Sequence, residues 1–404
     1  MLPETELVLV CARALLTPAK RARLDELLAQ AIDWPRVLRF AERHGVVPLL
    51  HHHLAASRAA GPPAWVRDRL QARARAIVGH NLRMTAELLR IVDRLESRGI
   101  PVIPYKGPLL AVTAYGSLSL RSFDDLDLLI APGHVLTARH LLMEDGYRPL
   151  YPLGLAAEAA YLRYDCEYIV ERGPIRVELH WRILPEYFCV PLDMSRFRAR
   201  ATMTPLAGAA VRTLAPEDLL LTLCAHATKH CWDRLELVAS VAEVVRRHPA
   251  MDWSDVRAAA TRAGAVRMLD LGLWLARDLV EVDLPMAELD ALDGDRRARV
   301  LAREISGRLL SEDPGSLDRP QQLRFHLRTR ERLRDRLRYV VRLGTTQTIG
   351  DWQLVGLPTG AGGLYRVVRP LRLLGKFGPL AITRVLGALA GRPVKRRDGL
   401  EPSG

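Results

Sequence analysis

The stretch Arg121-Ser122-Phe123-Asp124-Asp125-Leu126-Asp127-Leu128-Leu129-Ile130 decides how this chain is read. Leu126 to Ile130 is short, apolar and bounded by Pro132-Gly133, the pattern of a buried strand. Alternate side chains of a strand share a face. Asp125 and Asp127 therefore point one way, while Leu126, Leu128 and Ile130 point into a core. Two neighbouring carboxylates on a sheet repel strongly where the dielectric is low. A divalent cation is the usual reason for tolerating them, and Mg²⁺ takes one or two carboxylates and fills its shell with water and phosphate oxygens. The competing reading, a solvated strand end, fits poorly with leucines on the buried side. Asp124 has the opposite parity and reads as a loop or capping residue.

A third carboxylate lies in Ile175-Arg176-Val177-Glu178-Leu179-His180-Trp181. Ile175, Val177, Leu179 and Trp181 form an apolar face; Arg176, Glu178 and His180 form the other. A charged row on a buried strand needs a reason, and facing the aspartate pair would supply one. An ion pair from Glu178 to Arg176 or Arg121 is the simpler alternative. His180 fits a substrate contact or a structural hydrogen bond equally well. Upstream, Tyr105-Lys106-Gly107-Pro108 falls between a strand and a helix, where glycine lets backbone N–H groups approach a phosphate and Lys106 adds a point charge.

Around these segments the periodicity changes in order. Residues 1–95 read as a helical region, with a long helix over 65–98 after Gly61-Pro62-Pro63 and ending at Gly99. Residues 96–190 read as a small sheet domain: an extended 100–105, a helix over 108–115, the Asp-x-Asp strand, a helix over 134–145, and strands at 165–171 and 175–181 joined by a tight hairpin at Arg172-Gly173-Pro174. Residues 191–342 read as a C-terminal helical domain, and 343–404 as a tail whose basic end is disordered. The expected class is α+β, a mixed sheet flanked by helical regions. His51-His52-His53 reads as a surface cluster without function. The apolar stretch 378–391 fits a packed helix better than an interfacial membrane helix.

Taken together, these motifs resemble the polymerase-beta-like nucleotidyltransferase superfamily, and more closely a bacterial family described as uncharacterised nucleotidyltransferases. The resemblance spans roughly residues 30–375. It rests on Lys106-Gly107, Arg121, Asp125-Leu126-Asp127-Leu128-Leu129, Glu178-Leu179-His180-Trp181 and His226-Ala227-Thr228-Lys229-His230-Cys231-Trp232, with Asp33-Trp34 and Asp351-Trp352…Leu357-Pro358 at its ends. It implies transfer of a nucleoside monophosphate from an NTP, ATP first among donors, to a hydroxyl of an unknown small-molecule, peptide, protein or RNA acceptor. Asp125, Asp127 and Glu178 would be the catalytic and metal-binding residues, holding two Mg²⁺ ions or Mn²⁺ in their place. Lys106, Gly107, Arg121, His180, His226, Lys229 and His230 would meet the nucleotide. Two departures stand out. Pro108, which has no N–H, replaces the usual second small residue of the phosphate turn, and Ser240 falls where the family often carries an acid. Gly116-Ser117 offers a substitute turn but follows no strand. His226 and His230, four apart on a helix, share a face; that is also zinc spacing, but no third ligand is evident nearby.

Composition is compatible with this reading without pointing to it. The chain has 404 residues and a net charge of +13, yet only Lys20, Lys106, Lys229, Lys376 and Lys395 of its 59 basic residues are lysine. That is the arginine bias of a GC-rich genome, so the charge says little about nucleic acid. No aromatic cluster alternates with the basic residues, which disfavours a nucleic-acid-binding helical protein. Five scattered cysteines suggest neither a disulfide framework nor a zinc knuckle. The acidic start and the lack of an apolar run of about 18 residues lead to the expectation of a cytoplasmic protein. A catalytically weak, nucleotide-binding homologue acting as an interaction protein is the remaining alternative.

Overall fold

The computed structural model describes residues 1–57, 61–152, 155–312 and 315–348, together with Asp351, Arg369 and Arg372. The chain opens with helices α1 (Pro3–Cys11), α2 (Pro18–Leu28), α3 (Trp34–Arg43), α4 (Val47–Ala56) and the long α5 (Ala64–Glu96). The sheet region follows: β1 (Ile103–Pro104), α6 (Gly107–Thr113), β2 (Asp125–Leu129), α7 (Val135–Glu144), β3 (Arg148–Pro149), α8 (Leu155–Tyr164), β4 (Glu167–Arg172) and β5 (Ile175–His180). After α9 (Met194–Arg200) and the hairpin β6 (Thr202–Leu206) and β7 (Ala209–Thr213) come α10 (Pro216–Lys229), α11 (Leu235–Arg247), α12 (Trp253–Ala263), α13 (Val266–Val280), α14 (Met286–Gly294), α15 (Arg296–Leu309), α16 (Arg319–Arg328) and α17 (Leu333–Thr345). The class is α+β, as expected.

The five-stranded sheet has the order β1-β2-β5-β4-β3. β2 and β5 run parallel, with Asp125 opposite Arg176 and Asp127 opposite Glu178. β4 and β5 form the hairpin read from the sequence, closed by Gly173-Pro174 with Gly173 at φ +56°. Period-two alternation sorts the residues as expected. Leu126, Leu128, Val177, Leu179, Tyr168 and Val170 pack on the back face with Val135, Ala138, Leu141 and Leu142 of α7 and Leu88, Ile91 and Leu95 of α5. The other core joins helices from both ends of the chain, α1–α4 and the start of α5 with α10, α11, α13 and α15. Backbone ties support that union: the Leu235 N–H donates to His44 Nδ1 and the Glu236 N–H to the His44 carbonyl, each at 3.1 Å. Val66 and Leu70 bury α5 in the helical core and Met84 onward in the sheet core, so the middle of α5 spans the junction.

Two expectations change. The stretch 191–342, read as helical, also contains the β6–β7 hairpin; its two-residue turn puts both Ala207 (φ +47°) and Gly208 (φ +88°) in the left-handed region. Pro205 and exposed Met203 hide the alternation that would have announced it. The His51-His52-His53 run is a surface cluster only in part: His52 is exposed and His51 half-buried, but His53 is buried. The run lies within α4, whose turn carries His53 inward to reach the Arg13 carbonyl at 2.7 Å. Among the described residues no helix is long and apolar enough to cross a membrane. Most of 343–404, including 378–391, lies outside the described residues.

Candidate active site

The front face of the sheet gathers charge where the back face gathers leucine and valine. Asp127, Glu178 and His180 present ligand atoms that all lie within 4.8 Å of one another. Asp127 is 2% exposed. Its Oδ1 accepts from Lys106 Nζ at 2.8 Å and from His180 Nε2 at 3.1 Å, while its buried Oδ2 has no hydrogen-bond partner. Asp125, half-buried, lies one step along the same face. Burial would raise the pKa of Asp127, but Lys106 and His180 outweigh it and hold the group well below the usual carboxylate range. Asp125 goes the other way. Burial, and then repulsion from Asp127, push it up to about 7 despite Lys106.

His180 is a linchpin beneath the carboxylates rather than a wall of the cavity. It is 2% exposed, and Nε2 also lies 3.3 Å from Glu178 Oε2 while Nδ1 lies 3.3 Å from Glu167 Oε2. Burial disfavours its charge, yet the hydrogen bond to Asp127 and the acids around it raise its pKa well above the ordinary imidazole value. On the other side, Lys106 Nζ donates to Nε2 of His226 at 3.2 Å. His226 is driven well below its ordinary pKa by burial, Lys106 and His230, so it is neutral and can accept.

A cavity of about 570 Å³ opens over this face. Lys106, Asp125, Glu167 and Glu178 border it from the sheet side, Arg121 to Asp124 from the loop before β2, Arg73, Ile77 and His80 from α5, and His226, Lys229, His230, Glu236 and Ser240 from α10, α11 and the turn between them. Asn81 of α5 secures the loop by donating to the carbonyls of Leu118 and Arg121, each at 2.7 Å. His80 Nε2 lies 3.0 Å from the Phe123 carbonyl. Arg121 is thereby placed at the cavity with Nε and Nη1 buried and without hydrogen-bond partners. The α10 wall is set by a tight contact with α13: a Cβ on Gly272 would come within 2.6 Å of Cys224 Sγ and 3.0 Å of the Trp232 ring. Trp232 itself adopts a left-handed backbone (φ +53°) as α10 ends, and its indole N–H donates to Thr228.

The structure thus brings Asp127, Glu178, Lys106, His180 and His226 into one network and places Asp125, Arg121, Lys229 and His230 on the walls of the same cavity. Gly107 does not border it. Its glycine character answers another need, since φ is +50° and a Cβ would stand 3.2 Å from the Asp125 carbonyl oxygen. The rings of His226 and His230 are 4.5 Å apart, and among the described residues neither joins a group able to hold a metal. Glu167 is a site residue that sequence reading missed. A two-residue turn at 173–174 pairs Arg172 with Ile175, and counting outward from there pairs Glu167 with His180; the signal was in the register. Asn81 and His80 carried no comparable signal.

Comparison with known proteins agrees with the motif reading. The family model for an uncharacterised nucleotidyltransferase matches residues 30–281. No curated protein matches the chain. Among solved structures, the solution structure of the antibiotic-resistance factor ANT(2'')-Ia aligns at 15% identity over 56% of this chain and 98% of that one, with a TM-score of 0.29, a superposition too loose to transfer a substrate. The matched residues are more than half of the sequence, and the chain belongs to the uncharacterised nucleotidyltransferase family.

Proposed function

We propose that this chain is a divalent-metal-dependent nucleotidyltransferase that moves a nucleoside monophosphate from an NTP, with ATP first among donors, to an acceptor hydroxyl. The observation that carries this reading is the register of β2 and β5, which sets Asp127 opposite Glu178 with Asp125 beside them at a cavity of nucleotide size. The donor set fits a hard cation, because Asp127 Oδ2 is buried and unpartnered and the neighbouring donors are mostly carboxylate oxygens. Asp125, Asp127 and Glu178 would hold Mg²⁺ or Mn²⁺, as a two-ion site. When bound, the metal supplies Lewis-acid polarisation of the phosphoryl group and eases ionisation of the acceptor hydroxyl.

The chain's own groups do the rest. Glu178 is the carboxylate placed to take the acceptor proton. Arg121 borders the cavity with two guanidinium nitrogens that have no hydrogen-bond partner, so the triphosphate tail falls to it rather than to the Gly107 turn. His226, Lys229 and His230 line the wall where nucleotide and acceptor would meet, opposite the residues that α5 contributes to the cavity. Incubation with Mg²⁺, each NTP labelled at its α-phosphate and a fractionated cell extract tests the reading. Label should enter one product with release of pyrophosphate. A protein that binds no Mg-NTP at about 1 mM, the upper end of ordinary KM values, would defeat it.

A further inference from the structure

The carboxylate site already contains a cation of its own. Lys106 Nζ is 2.8 Å from Asp127 Oδ1, and the side chain is 10% exposed. Two acceptors hold the ammonium, Asp127 and the neutral ring of His226. Two donors crowd Oδ1, Lys106 and His180, while Oδ2 has none. Asp125, Glu178 and Glu167 surround the pair with further negative charge. Carboxylates this close and this buried need positive charge to remain ionised together.

We propose that Lys106 is a built-in counter-cation of this site, holding Asp127 while no metal is bound and weakening metal binding by its charge. This rests on reading Asp127 as a metal ligand. An ammonium and a divalent ion on the same carboxylate repel each other, and the repulsion is strong where water is excluded. Lysine is a compact charge on a flexible stem, so it can leave the aspartate without disturbing the backbone. Lys106 also borders the cavity, so the displaced ammonium moves into the space assigned to the triphosphate. Metal binding thereby turns a structural ion pair into a phosphate contact, and Lys106 serves the nucleotide only after it has been released.

Binding of Mn²⁺ alone, followed by the electron paramagnetic resonance of the free ion, tests this on wild type, Lys106→Met and Lys106→Gln. Glutamine keeps a polar N–H donor on the same side chain without the charge, so the pair of variants isolates the charge. Both variants should bind Mn²⁺ roughly tenfold more tightly than wild type, the scale expected from removing one nearby positive charge. Their metal-free thermal midpoints should fall, and Mn²⁺ should raise them by more than it raises wild type. If wild type binds Mn²⁺ and both variants bind equally or more weakly, the inference fails by itself. If none of the three binds Mn²⁺, the metal-site reading fails and takes the inference with it.

Discussion

The two faces of the five-stranded sheet are made by the same strands and do opposite things. Residues 126, 128, 168, 170, 177 and 179 form a dry layer against α5 and α7. Residues 125, 127, 167, 178 and 180 form a charged layer beside the cavity. Only parity separates them. The back face gains stability from buried apolar area. The front face brings carboxylates together against their mutual repulsion, and the neighbouring cations outweigh that repulsion at Asp127 but not at Asp125. A chain stabilised on one face can tolerate a strained charge arrangement on the other.

The sharpest way to break this division is to change one residue on each face. Asp125→Asn should lower nucleotidyl transfer by roughly a thousandfold, about the cost of losing a key group that stabilises transition-state charge. Its thermal midpoint without metal should hold or rise, because the carboxyl it replaces is pushed up to about 7 by burial and by Asp127. A thousandfold loss accompanied by unfolding would mean that the front face is structural. Asp127→Asn should differ by also lowering stability, since Lys106 and His180 lose their counter-charge. On the back face, Leu179→Ala empties a fully buried position and should cost about 2–5 kcal/mol of unfolding free energy while the folded fraction keeps its turnover. A urea titration with parallel activity measurement checks both halves.

A smaller effect separates the charged face from the helical core. His44, His53 and His326 are buried there, and burial holds each near a pKa of about 4. The unfolded chain therefore takes up these protons first as the pH falls. Their contribution is complete above about 6.5 and lost towards pH 4, at roughly 1–2 kcal/mol per histidine by pH 5. Asp125 titrates with the opposite sign: its folded pKa lies above the ordinary value, so its contribution declines as the pH rises from about 4 towards 7. In an Asp125→Asn background, His53→Gln should flatten the acid limb of a stability–pH profile by the amount of one histidine. An unchanged slope would mean that His53 is not held neutral.

What could be read in the sequence follows from the range of the forces involved. β2, β5 and the β4–β5 hairpin were legible because parity and a two-residue turn are local. Lys106, Arg121 and the α10 residues were legible as a set through family motifs, but their contacts were not. The pairing of Lys106 with Asp127 and His226 joins residues 21 and 120 positions apart. Gly107 was read as a phosphate cradle, whereas its neighbour is the Asp125 carbonyl, which only the packing of α6 on β2 reveals. The place of α5 in the cavity was equally hidden, because Arg73 and His80 look like ordinary polar residues of a long helix until both cores are assembled around it.

As proposed, Asp125, Asp127 and Glu178 form one metal site at the floor of the cavity. Crystals grown with Mn²⁺ and a non-hydrolysable NTP analogue, measured at the manganese edge, test it directly. An anomalous peak bounded by these three carboxylates is expected, with the analogue's phosphates reaching Arg121. A peak elsewhere, or an ordered nucleotide with no manganese at the three carboxylates, would contradict it.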